Sequence, residues 1–221
     1  MIRTYEVNRT KLQHPFSAII AGGRRTGKTE FTKSILLQRD RFITSSIDHI
    51  IWLYASAPQT AVFDELKHSL ANIEFIHDLP NDGVDAMLSA KSGNKLIILD
   101  DLMEEASERL DVKHLFTRGR HDHVSVIFLT QNIFHRGKHS REMSLNADYM
   151  VLFKNPRDKT IITNLGKQME NVLFLKWAYK DATEQPFSYL FIDLRADTDE
   201  LLRYRARILD DIQIVYVRTH E

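Results

Sequence analysis

Cysteine is absent from all 221 residues. That excludes disulfide stapling and thiolate zinc sites and is compatible with an intracellular protein. An excess of either charge is lacking too, since 30 Lys and Arg stand against 30 Asp and Glu. The balance excludes a uniformly basic nucleic-acid coat but leaves room for a local basic loop. No apolar run approaches the roughly 20 residues that a membrane helix needs. The opening stretch, MIRTYEVNRTKLQHPF, has no apolar signal core. Internal repeats and low-complexity tracts are missing. The chain reads as soluble, with no membrane span.

What is present points to a sizeable core: 43% of the residues are hydrophobic and 27% charged. The length suits one α/β domain over residues 1–221. Short apolar runs rich in Ile, Val and Phe recur at 16–21, 50–54, 96–99, 124–129, 149–153, 189–194 and 212–217. Each has the length of a buried strand. The early runs alternate with helix-like stretches at 28–38, 60–69, 84–91 and 104–116, which predicts βαβ units and a mainly parallel sheet flanked by helices. A further helix is expected to open at Asn155-Pro156, a cap residue followed by Pro. Beyond it the strands crowd together, so antiparallel edge strands are expected near the C-terminus. Asn81-Asp82-Gly83 and Ser92-Gly93-Asn94 read as tight turns.

The segment GGRRTGKT at 22–29 fits G-x-x-x-x-G-K-[ST], with an apolar run before it and a helix-like stretch after it. Phosphates are anionic and need inward-turned backbone N–H groups and room for close approach. Glycine supplies the room and the helix N-terminus a partial positive charge. The expected nucleotide cradle is Gly22, Gly23, Arg24, Arg25, Thr26, Gly27, Lys28, Thr29 and Glu30. Lys28 would reach the β and γ phosphates of ATP, and Thr29 would place its hydroxyl on Mg²⁺. Arg24 and Arg25 are expected to point outward, because the phosphate-facing groups are backbone.

A second motif, KLIILDDLMEE at 95–105, ends an apolar run in two adjacent aspartates. A buried parallel strand delivers side chains to its C-terminal edge in this way. Asp100 would hold Mg²⁺; Asp101 would orient and deprotonate the attacking water. A third run ends in Thr130-Gln131-Asn132, and the Gln131 amide could sense the γ-phosphate or position water. Cations gather at Arg118, Arg120, Arg136, Lys138, Arg141 and Arg157. Arg118 and Arg120 are the leading candidates for an arginine supplied to a neighbouring subunit. The loop HRGKHSR at 135–141 is a candidate DNA contact. His121-x-His123 could clip a metal, but no framework completes a site there.

Taken in order, GGRRTGKT, IILDDLM, FTRGRHDHVSVIFLTQNIFHRGK and SLNADYMVLFKNPRDKT resemble the viral DNA-packaging ATPases of the poxvirus type, within the FtsK–HerA superfamily. They look closest to the versions in polinton-like elements and small animal DNA viruses. The resemblance runs from about residue 14 to about 217. It implies a RecA-like core assembled as a homo-oligomeric ring, which threads double-stranded DNA into a capsid at a viral assembly site in the host cell, with capsid or portal-region proteins as partners. Position by position it places Lys28 and Thr29 on the phosphate and Mg²⁺ residues and Asp100 on the Mg²⁺ aspartate. Asp101 falls on the catalytic carboxylate, Gln131 on the sensor, and Arg118 or Arg120 near the trans-acting arginine. One departure is Asp101, where many ring translocases carry Glu; the shorter side chain requires closer water or help from Glu104. Two other readings compete with the motor: a nucleoside or nucleotide kinase, and a capsid scaffold that uses ATP only to assemble.

Overall fold

The computed structural model describes residues 2–55, 60–133, 137–156 and 160–218. The chain opens with β1 (Ile2–Asn8), β2 (Ser17–Ala21), α1 (Lys28–Leu37), α2 (Arg39–Phe42) and β3 (His49–Tyr54). It continues through α3 (Thr60–Ser69), β4 (Ile73–His77), α4 (Val84–Ser89) and β5 (Lys95–Asp100). Next come α5 (Met103–Glu108), α6 (Leu110–Arg118), β6 (Val124–Thr130), α7 (Ser140–Leu145) and β7 (Tyr149–Phe153). Then follow α8 (Thr160–Gln168), α9 (Val172–Ala182), β8 (Tyr189–Asp193), a 3₁₀ turn (Glu200–Leu202), β9 (Tyr204–Ala206) and β10 (Ile212–Arg218).

The ten strands described form one sheet in the order β1-β10-β9-β8-β7-β2-β6-β5-β3-β4. From β7 to β4 all pairings are parallel. Antiparallel pairing starts at β7–β8 and continues through β9, β10 and β1. The parallel sheet with antiparallel strands at the C-terminal edge is the architecture expected from the sequence.

The central strands are continuously apolar because both faces are covered. Alternate side chains feed separate cores. Ile19, Ile97, Leu99, Val126 and Phe128 join one, against α6, α8 and α9. Ala18, Ile20, Leu96, Ile98, Ile127 and Leu129 join the other, against α1 and α3.

Several details depart from the sequence reading, among them strands β1, β4 and β9, which have no counterpart among the seven expected runs. The single helix expected over 104–116 is two, parted at Arg109, whose backbone is extended (φ −96°, ψ 130°). The Arg109 guanidinium donates to both Asp111 oxygens (3.0 and 2.6 Å) and to Pro80 O (2.9 Å), while Asp111 accepts the Val84 N–H (2.7 Å). This tertiary knot ends one helix and starts the next without any Gly or Pro. The helix expected to open at Asn155-Pro156 is described from Thr160; residues 157–159, including Arg157, and with them the opening of that helix, fall outside the described residues. The eleven-residue helix α9, at 172–182, has no counterpart among the expected elements.

Candidate functional site

Because β2, β5 and β6 are parallel and adjacent through β6, their C-terminal ends share one edge of the sheet. The GGRRTGKT segment leaves β2 at that edge and runs into α1. Gly22 packs so closely on β7 that a Cβ there would lie 2.6 Å from Phe153 Cβ and 2.8 Å from Thr26 Oγ1. Gly27 has φ +102°, a conformation other residues rarely adopt. Thr26 Oγ1 ties the loop by donating to Gly23 O at 2.9 Å. Lys28 folds over the loop and donates Nζ to Gly22 O (2.7 Å) and Gly23 O (2.8 Å). Burial lowers the Lys28 pKa, and the nearby Asp100 and Asp101 oppose that shift.

Asp100, the last residue of β5, is held largely out of water and accepts the Trp52 indole N–H at 3.3 Å. Burial pushes its pKa up to about 6; the Asp101 charge adds to the shift, while the indole bond and Lys28 oppose it. Asp101 turns out of the strand with φ +57°, a conformation that Asp tolerates better than most residues. Its backbone N–H still donates to Leu129 O (3.3 Å), and its Oδ1 accepts from Gln131 Nε2 (3.2 Å).

These groups border one cleft of about 790 Å³, the size of a small-molecule site. Lys28, Thr29, Asp100, Asp101 and Gln131 are brought together along it. Arg24 and Arg25 are exposed and also line it. Glu30 lines it as well and pairs with Lys33 at 2.7 Å. Glu104 lies elsewhere: it lines a neighbouring recess of about 350 Å³, which shares Asp101 and Gln131 with the cleft. Four lining residues have no site role in the sequence reading: Tyr54, Phe63 and Leu129, within expected strands and a helix, and Phe187, in the turn before β8.

The arginines Arg118 and Arg120 precede β6, whereas Gln131 follows it. Seven strand residues separate the two ends, a span of about 20 Å. The structure therefore does not bring either arginine to its own chain's cleft. Arg118 is exposed on the last turn of α6. Arg120 pairs with the buried Asp148, which also accepts the Ser17 N–H at 2.8 Å. Lys138 and Arg141 are exposed, Lys138 beside α5 and Arg141 in α7; Arg136 lies outside the described residues. Among the described residues no group of three or more His, Cys, Asp or Glu is placed to hold a metal, so His121 and His123 gain no partners of that kind. None of the described helices is long and apolar enough to cross a membrane.

A family model described as Poxvirus A32 protein matches residues 4–153, which carry the loop, both aspartates and the β6 tip. The chain belongs to the poxvirus A32 family. No curated protein matches it. Among solved structures it is similar to the genome packaging NTPase B204 from Sulfolobus turreted icosahedral virus 2, in complex with ATP-gammaS. The TM-score is 0.59 and the identity 14%, over 83% of this chain and 95% of that one. It is also similar to the cytoplasmic domain of the Type VII secretion ATPase EccC of Thermomonospora curvata, with TM-score 0.53 and 15% identity. That match covers 86% of this chain and 25% of that one. EssC (ATPases 2 and 3) from Geobacillus thermodenitrificans matches with TM-score 0.52 and 10% identity, over 91% and 39% of the two chains. At such identities the likeness is one of fold, and it gives this poxvirus A32 family member a P-loop NTPase architecture.

Proposed function

We propose that the chain is an ATP hydrolase that packages a viral genome, moving double-stranded DNA into a capsid at an assembly site in the host cell. One observation carries the reading: a glycine loop with its lysine, two aspartates and a glutamine, from three adjacent strands, border a single cleft.

The geometry supports the following roles. A triphosphate on the loop replaces the Gly22 and Gly23 carbonyls as the partner of Lys28, drawing the ammonium to the β and γ phosphates. Asp100 is a largely buried carboxylate near Lys28, and Mg²⁺ suits such a site because it binds through one or two carboxylates together with substrate phosphates. Asp100 and the Thr29 hydroxyl would hold the ion. When bound, it neutralises charge on the phosphate oxygens. Asp101 orients a water and takes its proton as the water oxygen attacks the γ-phosphorus. The bond to the bridging oxygen breaks, leaving ADP and phosphate. Gln131 fixes Asp101 and senses whether the γ-phosphate is present.

Support for a ring comes from the arginines, which can serve only a neighbour's cleft from the far edge of the sheet. Asp148 occupies Arg120, so Arg118 is the better placed. Lys138 and Arg141, beyond the Gln131 strand tip, face the DNA in the pore. The family membership and the likeness to a packaging NTPase support the same assignment.

The test is steady-state phosphate release by the assembled protein, with and without duplex DNA of random sequence, across a salt series. Stimulation at low salt that fades as salt rises is expected, because neutralised DNA phosphates release counterions. No stimulation, combined with phosphate transfer to a nucleoside or nucleotide, would turn the assignment to a kinase.

A further inference from the structure

The cleft has a second end. In the sheet, β2 has β6 and β5 on one side and β7 and β8 on the other. Asp100, Asp101 and Gln131 occupy the first side. Strand β8 runs antiparallel to β7 with Tyr189 opposite Phe153, so it begins at the edge where β7 ends and the loop lies. The turn before it places Phe187 against the loop: a Cβ built on Gly27 would stand 3.5 Å from Phe187 Cδ1.

Two features of Phe187 run against ordinary folding preferences. It is 69% exposed, though large and apolar, and it has φ +63°. The turn is closed by the Ser188 N–H donating to Gln185 O at 3.4 Å, with Pro186 second and Phe187 third. That pairing of Pro with a positive φ is the type II pattern, whose third position favours Gly. A bulky residue in this conformation is an outlier of the kind that collects at ligand sites. The other aromatics on the cleft are committed elsewhere. Tyr54 and Phe63 pack edge to face at 5.2 Å, and Phe63 lies 4.1 Å from Phe75.

We propose that Phe187 is the platform on which the base of the bound nucleotide stacks. The proposal rests on the cleft holding a nucleoside triphosphate. With the γ-phosphate directed to Lys28, Asp100 and Gln131, the remainder of the nucleotide extends along the loop toward β7 and β8, where Phe187 stands. An exposed ring fits a base because every base has a π-face, and stacking needs no hydrogen-bond partner.

The discriminating variant is Phe187→Gly, which suits the backbone conformation and removes the ring. Its thermal stability without ligand should equal or exceed that of the wild type, so a loss of binding cannot be attributed to misfolding. Its affinity for ATP should fall by roughly tenfold or more, the range of base–aromatic stacking. Its affinity for inorganic tripolyphosphate, which has no base, should be unchanged. Phe187→Trp should retain ATP binding, with indole fluorescence that changes on adding ATP but not tripolyphosphate. ATP affinity unaltered in Phe187→Gly, or an equal loss for ATP and tripolyphosphate, overturns the platform alone. A wild-type protein that binds neither ligand overturns the nucleotide site itself, and the platform with it.

Discussion

Gln131 donates its side-chain amide to Asp101 Oδ1 at 3.2 Å, joining the tips of the neighbouring strands β6 and β5. The bond fixes a carboxylate that sits in a positive-φ turn. Asp101→Asn should therefore bind ATP normally and lose turnover by about 100-fold or more, the scale of general-base catalysis. Gln131→Ala should lower turnover less, with ATP affinity intact, because the base remains but is no longer held. Single-turnover hydrolysis alongside equilibrium ATP binding separates the two effects. A wild-type rate in Asp101→Asn would pass the role to Glu104, across the Asp101–Gln131 pair in the adjoining recess.

Asp100 gives a pH dependence with a definite sign. Its folded pKa is raised from 3.8 to about 6, so between those values the folded state binds the proton that the unfolded state has released. Stability of the metal-free protein should fall as pH rises through about 4 to 6, by up to about 3 kcal/mol for a shift of this size. Asp100→Asn keeps an acceptor for the Trp52 indole and carries no charge. In chelator at pH 8 it should melt higher than the wild type, and the difference should vanish near pH 4. Melting curves across that range check the sign, and a lower melting temperature at pH 8 contradicts it.

Most of this site was legible in the sequence because its chemistry is local. The loop, Lys28, Thr29 and the two aspartates lie in short motifs next to buried strands whose apolar runs mark them. Phe187 was not legible: its meaning depends on β8 folding back beside β7, a pairing across 36 residues, Phe153 to Tyr189. The break at Arg109 was hidden for a similar reason, since the knot that makes it borrows Pro80 and Val84 from another part of the chain. The edge strand β4 alternates only weakly between buried and exposed positions, so neither a period of two nor a continuous apolar run stands out.

The two arginines before β6 should separate in stability and in catalysis. Arg120 pairs with Asp148, which is buried and anchored to Ser17. Arg120→Ala should cost about 1 kcal/mol of stability, a modest figure because the arginine itself is exposed and screened. Arg118→Ala should leave the melting temperature unchanged and lower turnover at unchanged ATP affinity. If Arg118 acts in a neighbour's cleft, mixing Arg118→Ala with Lys28→Ala subunits should restore part of the activity. Turnover undiminished by Arg118→Ala would remove it from the site.

The basic loop after β6 is clasped to the helix that follows the aspartates. The Lys138 N–H donates to Glu108 Oε1 at 3.1 Å, and the His139 N–H donates to Ser107 O at 2.8 Å. At Gly137 the approach is so close that a Cβ would lie 1.9 Å from Ser107 Oγ. Ser107 is fully buried and cannot swing into solvent, so any side chain at 137 must push the loop away from α5. DNA contact and hydrolysis should therefore be separable. Changing Lys138 and Arg141 together to Ala should reduce the slope of log affinity against log salt by about two, near 0.9 for each lost phosphate contact. Gly137→Ala keeps both cations, so it should bind duplex with nearly the wild-type salt slope and hydrolyse ATP at the basal rate. Stimulation of that rate by DNA should be lost, because the loop no longer moves with α5. Filter binding across a salt series and phosphate release with and without duplex read the two properties independently. Full DNA stimulation in Gly137→Ala would show that the clasp transmits nothing.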